Sequence, residues 1–278
     1  MEFRLLPARD RLKNFFDGSP VLAKKSLGQN FLVSDRVIEA ILRSVSEMRH
    51  QSIIEIGPGP GALTDGLRQI SKDIILIELD HQFAHHWREN QVSVIEDDAL
   101  KIDWSQFKNS GSSILVSNLP YQISSSLVVD RSVFKNGPDQ MVLMFQKEVA
   151  QRMRASCSTP AYGLLSVIAQ TFWNIETVID AGPGDFKPPP KVASRVLKFS
   201  RKTAPMADSE RFLQFCKAAF AQRRKLLAKN IHSWLERFHK TPDHLAEWLE
   251  SRRHNPKARA EELSPSEFVD LYLWLCKN

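Results

Sequence analysis

Between residues 53 and 145 one pattern recurs along the chain: a short apolar run, a polar or acidic residue at its end, then a stretch with helical spacing. The runs cover 53–56, 74–77, 92–95, 114–116 and 141–145. They are too short for helices, and their almost continuous apolarity leaves no face for water. That predicts strands of an α/β fold, a parallel sheet with helices on both faces. Ligands of such sheets bind beyond the carboxyl ends of the strands. Glu78 and Asp80 stand after the second run, Asp97 and Asp98 after the third, and Asn118 after the fourth.

The turn after the first run is Gly57-Pro-Gly59-Pro-Gly61, followed by a predicted helix from about residue 62. Glycine lets a backbone approach a ligand closely and lets amide groups point outward at a helix start. Gly57, Gly59 and Ala62 satisfy a relaxed dinucleotide pattern, with Glu78 placed to take ribose hydroxyls. The loop therefore fits a nicotinamide cofactor and the nucleoside part of S-adenosylmethionine equally well. Asp98 can accept a hydrogen bond from an adenine amine.

Asn118-Leu119-Pro120-Tyr121 separates the two. An exocyclic aromatic amine is a poor nucleophile because its lone pair is delocalised into the ring. The Asn118 amide oxygen and a nearby backbone carbonyl can each accept one N–H, which favours a more tetrahedral nitrogen. Tyr121 offers a face on which a base stacks, and Pro120 fixes the turn. Positioning and electrostatics then suffice, with no metal and no covalent nucleophile. Phe186, beside the triple proline 188–190, is a second aromatic candidate that could close over the other face of a flipped base.

Apolar residues at helical spacing predict a helix over 34–45, with Ser34 or Asp35 as its N-cap. Further strands are predicted at 172–179 and 195–199, and a purely helical pattern follows residue 203. This divides the chain into a basic arm (1–23), a cofactor-binding domain (24–202) and a helical domain (203–278). The formal net charge of +6 favours a polyanionic partner. Cys157, Cys216 and Cys276 are too scattered for a disulfide framework or a zinc site, which fits a reducing compartment. No secretory signal and no membrane-spanning run is recognised.

Five segments occur in an order that resembles the KsgA family of small-subunit ribosomal RNA adenine dimethyltransferases. They are Leu27-Gly28-Gln29-Asn30-Phe31-Leu32, Glu55-Ile56-Gly57-Pro58-Gly59, Asn118-Leu119-Pro120-Tyr121, Gln146-Lys147-Glu148-Val149 and Phe186-Lys187-Pro188-Pro189-Pro190-Lys191-Val192. The resemblance covers residues 24 to 232. It implies a class I methyltransferase fold with a small C-terminal helical domain, and S-adenosyl-L-methionine as cofactor. The implied reaction is dimethylation of two adjacent adenosines in a hairpin near the 3′ end of small-subunit rRNA, in a pre-30S-type particle. Asn30, Leu32, Gly57, Gly59, Glu78, Asp98 and Asn118 would hold the cofactor. Asn118 to Tyr121 would present the target amine, with Tyr121 and Phe186 sandwiching the base. Gln122 and Ala193 depart from the family pattern, where Asn and an acidic residue are frequent.

Lys24 and Lys25, and Arg223, Arg224 and Lys225 on a long C-terminal helix, are the expected phosphate contacts. A cytoplasmic monomer is expected. Competing readings are a large-subunit rRNA methyltransferase conferring macrolide resistance, a nicotinamide oxidoreductase, and a non-catalytic RNA-binding assembly factor. The first of these typically has isoleucine where Leu119 stands, and the oxidoreductase leaves 118–121 without a purpose.

Overall fold

The computed structural model describes residues 3–16, 23–24, 28–107, 112–134, 137–202, 206 and 208–277. The chain forms two compact units. The first comprises 1–131, 135–150 and 175–201, and the second 132–134, 151–174 and 202–278.

The first unit opens with helix α1 (Ala8–Phe15), the two-residue strand β1 (Phe31–Leu32) and helix α2 (Asp35–Ser46), whose N-cap is Ser34. The predicted alternation follows: β2 (Ser52–Ile56), α3 (Thr64–Ile70), β3 (Ile74–Glu78), α4 (His81–Glu89), β4 (Ser93–Glu96), β5 (Ser113–Asn118), α5 (Tyr121–Val133) and β6 (Gln140–Gln146). Helix α6 (Lys147–Met153) starts directly at the end of β6. β2 is buried along its whole length, with Ile53 pairing Ile74 on one side and Ile114 on the other. The sheet order is β4-β3-β2-β5-β6-β9-β7, where β7 is Trp173–Ala181 and β9 is Ser194–Arg201. The order reverses between β2 and β5, so the loops after these two strands open a crevice at their carboxyl ends.

Two features of this sheet go beyond the sequence reading. β9 runs antiparallel to β6, Met144 facing Val196, so the sheet is mixed rather than parallel throughout. All-parallel dinucleotide folds run in the order 3-2-1-4-5-6, and the antiparallel β9 next to β6 departs from that order. Separately, β1 pairs antiparallel with β8 (Phe186–Lys187), Leu32 opposite Phe186, which joins two of the singled-out segments in one small ribbon.

In the second unit, helix α7 (Leu164–Phe172) is buried on nearly every side. It packs with α8 (Ser209–Ala219) and α12 (Pro265–Cys276). α9 (Leu227–Asn230), α10 (His232–Arg237) and α11 (Pro242–Ser251) complete the unit. A domain boundary near 202 therefore misplaces residues 151–174. An apolar helix with no polar face needs helical partners on several sides, and the C-terminal helices supply them. The expected long C-terminal helix is also broken. α8 stops at Ala219, and the Asn230 side-chain amide donates to the carbonyls of Ala219 (2.7 Å) and Gln222 (3.1 Å), closing a loop over 220–226.

Gly66 sits within α3, and a Cβ there would run into the side chain of Leu42 on α2. The substitution Gly66→Ala is expected to destabilise by about 1–3 kcal/mol through overpacking, although alanine is the better helix former. Urea unfolding of Gly66→Ala, Leu42→Ala and the double variant checks this: the double variant should lose less than the sum of the two singles.

Candidate active site

The carboxyl ends of β2, β3 and β5 surround a cavity of about 210 Å³. Its walls come from the segment 28–32, the glycine-rich turn, Glu78, Asp97, Asp98 and residues 118–123.

The glycine turn is held open by its conformation. Gly57, Gly59 and Gly61 have φ of +66°, +50° and +91°. Other residues rarely adopt such values. A Cβ at Gly57 would meet nothing within 4 Å, so the backbone there faces open space, whereas one at Gly61 would lie 2.8 Å from the Trp87 ring. The Trp87 indole N–H donates to the Gly59 carbonyl at 2.9 Å and anchors the turn from below.

Glu78 closes the next side. Its two carboxylate oxygens accept from the backbone amides of Gly59 (3.1 Å) and Asp80 (2.8 Å), while burial pushes its acidity down and its pKa up. Asp80 in turn accepts from Lys24 Nζ (2.8 Å), Gln29 Nε2 (3.0 Å) and the Gln82 amide (3.1 Å), bonds that hold its pKa below the ordinary carboxylate value despite burial. Asp98 uses Oδ1 to accept from the Leu100 amide at 3.0 Å.

The amide nitrogen of Asn118 donates to the Asn30 carbonyl at 3.1 Å. The Asn30 side chain itself donates to Gly28 O at 3.1 Å. This leaves the Asn118 oxygen as the acceptor end of the amide. Leu119 is buried, and the Tyr121 hydroxyl hydrogen-bonds Ser194 Oγ at 2.7 Å, which fixes the ring on its burial side. From Tyr121 a second, open groove of about 900 Å³ continues past Gln146, Lys187, the three prolines and Lys191. The two cavities share Gly28, Gln29, Asn30 and Tyr121.

The cofactor-side residues expected from the sequence all line the first cavity: Asn30, Leu32, Gly57, Gly59, Glu78, Asp98 and Asn118, together with Leu119, Pro120 and Tyr121. Phe186 does not join them. It is 4% exposed and packs in the core with Leu32, Val37 and Ala181, because its pairing with Leu32 turns both side chains inward. Among the expected phosphate contacts, Lys24 is engaged by the buried Asp80, and Arg223 by Glu261 (2.7 Å) and the Pro160 carbonyl (2.8 Å). Arg224 and Lys225 are exposed in the 220–226 loop, and Lys25 lies outside the described residues.

Glu55 was overlooked as a site residue. It lines the cavity at 2% exposure, and its Oε2 has no hydrogen-bond partner. Burial, with Asp65 and Glu78 adding repulsion, raises its pKa from 4.5 to about 8. Its signal in the sequence was a lone carboxylate inside an otherwise apolar strand. A glycine cradle open at Gly57 beside a ribose-type carboxylate at Glu78 suits the nucleoside part of a ligand.

A sheet of this order with a glycine turn, an acidic residue after β3 and an Asn-Leu-Pro-Tyr turn after β5 defines a class I methyltransferase. The family model for ribosomal RNA adenine dimethylases matches residues 21–277, so the chain belongs to that family. It is 53% identical over 265 residues to ribosomal RNA small subunit methyltransferase A of Bdellovibrio bacteriovorus, covering 95% of this chain and 97% of that protein. The protein of the same name from Staphylococcus epidermidis is 32% identical over 98% of this chain and 96% of its own. Among solved structures, a dimethyladenosine transferase from Plasmodium falciparum superposes with a TM-score of 0.73 at 23% identity, covering 88% of this chain and 97% of that one. The 23S rRNA methyltransferase ErmE gives 0.65 at 23% identity, over 89% of this chain and all of its own, which shows the shared fold.

The raised pKa of Glu55 sets a pH dependence. Well below pH 4.5 the carboxyl is protonated in both folded and unfolded chains and costs nothing. As pH rises towards 8 the unfolded chain ionises first, so stability falls by up to about 1.4 kcal/mol per pH unit. Urea unfolding between about pH 5 and 8 is expected to show this decline as the difference between the wild type and Glu55→Gln, the variant lacking it.

Proposed function

We propose that the chain uses S-adenosylmethionine to dimethylate the N6 amines of two adjacent adenosines near the 3′ end of small-subunit rRNA, as a cytoplasmic monomer acting on a small-subunit assembly particle. The observation that carries this is the Asn118 amide in the first cavity, tethered to Asn30, a residue that the cavity and the groove share. The family membership and the name of the 53% identical relative favour the small subunit over the large-subunit alternative.

When bound, S-adenosylmethionine supplies an electrophilic methyl group on a sulfonium. Glu78 would hold the ribose hydroxyls, Asp98 the adenine amine and the backbone at Gly57 and Gly59 the methionine part, with Asn30 and Leu32 against the methionine end or the adenosine. In the first transfer the Asn118 oxygen and a carbonyl of the 118–121 turn would accept the two N–H bonds of the target amine, in the second the single N–H that is left, and each transfer releases one proton to solvent. That localises the nitrogen lone pair and stabilises the positive charge that develops on attack. Tyr121 stacks on the base, held by Ser194, and the groove beyond it receives the flanking strand beside Lys187 and Lys191.

Labelled methyl transfer to unmethylated small ribosomal subunits, with mapping of the modified nucleotides, tests the reaction. Asn118→Ala should lose on the order of 10²–10³-fold in kcat. Product equal to that of the variant, or methyl groups mapped to large-subunit rRNA, rejects the reading. Tyr121→Ala should weaken RNA binding by about 1–3 kcal/mol while Tyr121→Phe keeps most of it, measured as KM for the subunit.

A further inference from the structure

Residues before position 21 lie outside the family match, and no role for them follows from the motifs. The structure nevertheless ties them to the cofactor cavity. Arg11 of α1 donates through Nη1 to the Gly61 carbonyl (2.9 Å) and the Asp65 carboxylate (3.2 Å), and through Nη2 to the Ala62 carbonyl (3.1 Å). A fourth bond, from Nε to Leu6 O at 3.1 Å, orients the guanidinium, whose side chain is only 10% exposed. The helix is docked at its start by the Ala8 amide on Asp35 Oδ1 (2.8 Å). Ahead of it, the backbone of Arg4 exchanges two bonds of 3.1 Å with the Gln69 side chain of α3.

The apolar face of α1 continues the same contact. Leu12 packs in a cluster with Phe31, Val33 and Phe83, with Phe15 and Phe16 against it. The Phe15 ring lies 5.6 Å from that of Phe83, and Phe16 lies 6.0 Å from Phe31. Phe31 and Phe83 both line the cavity, and the Phe31 ring lies 3.6 Å from where a Cβ of Gly59 would stand. One short helix thus grips the glycine turn at its carbonyls and backs two aromatic walls of the same cavity.

We infer that α1 is a strap that pre-organises the glycine turn for the cofactor, and that Arg11 is its positioning residue. A turn built from three left-handed glycines has unusual freedom without a ligand. Fixing the carbonyls of Gly61 and Ala62 restricts it to the binding shape before the cofactor arrives, which raises affinity by lowering the ordering cost. Arg11 lines neither the cavity nor the groove, so its effect falls on cofactor binding and not on the transfer step.

This rests on S-adenosylmethionine as cofactor, and the test separates the two ideas. Calorimetric titration of the wild type with S-adenosylmethionine comes first: no binding overturns the cofactor reading itself. Arg11→Ala is then expected to raise Kd and KM for S-adenosylmethionine by about tenfold, with kcat and KM for the subunit held. Arg11→Lys, which can keep one of the bonds, should fall between the two. If Arg11→Ala binds S-adenosylmethionine as tightly as the wild type, whatever its loss of thermal stability, the strap is overturned. Should Arg11→Ala fail to fold, Arg11→Lys decides alone, and unchanged cofactor affinity in that variant overturns the strap.

Discussion

The carboxylate of Glu78 joins the parts of the first unit that a ligand would meet. It sits buried at the end of a parallel strand and accepts one backbone amide from the glycine turn and one from the next loop. Ionised groups seldom lie so deep without partners, and these two amides are what makes the position tenable. From there the bonds continue outward. Asp80, whose amide serves Glu78, gathers Lys24 and Gln29, and the neighbouring Asn30 carbonyl receives the amide of Asn118. Three strand ends and the segment before β1 are therefore fixed by one connected set of polar contacts. The crevice keeps its shape because each polar group in this set is oriented by another.

Much of this is legible in the amino-acid sequence. Apolar runs of three to five residues set between helical stretches read as strands, although β4 is only half-buried, and the polar residue ending each run falls where a parallel sheet binds its ligands. All five parallel strands and the residues at their ends follow from that rule. Asn118 and Tyr121 were legible because an amide, a proline and an aromatic ring placed together at a strand end suit a defined chemistry. Glu55 was harder. A carboxylate within an apolar strand breaks the pattern that identified the strand, and pattern reading passes over the exception.

What the sequence hid depends on pairing across long separations. The inward turn of Phe186 follows from its partnership with Leu32, 154 positions earlier in the chain. Helix α7 looks like one more element of the alternation until its partners α8 and α12 are known. After the break at Ala219 the carbonyls of Ala219 and Gln222 are taken up by the Asn230 side chain, a partner no helical pattern announces. The cations chosen for RNA on charge alone divide in the same way, since Lys24 and Arg223 already have carboxylate partners.

The ribbon of β1 and β8 has a consequence for how such a chain can change. It is two residues long and its faces alternate, so adding or deleting a single residue within 28–32 or 186–192 reverses which side chains look inward. A shift in β1 would turn Leu32 out of the core, and a shift in β8 would turn Phe186 out and draw Lys187 in. Loops elsewhere can drift in length at little cost. These two short stretches cannot, and insertions and deletions among descendants of this chain are expected to skip both.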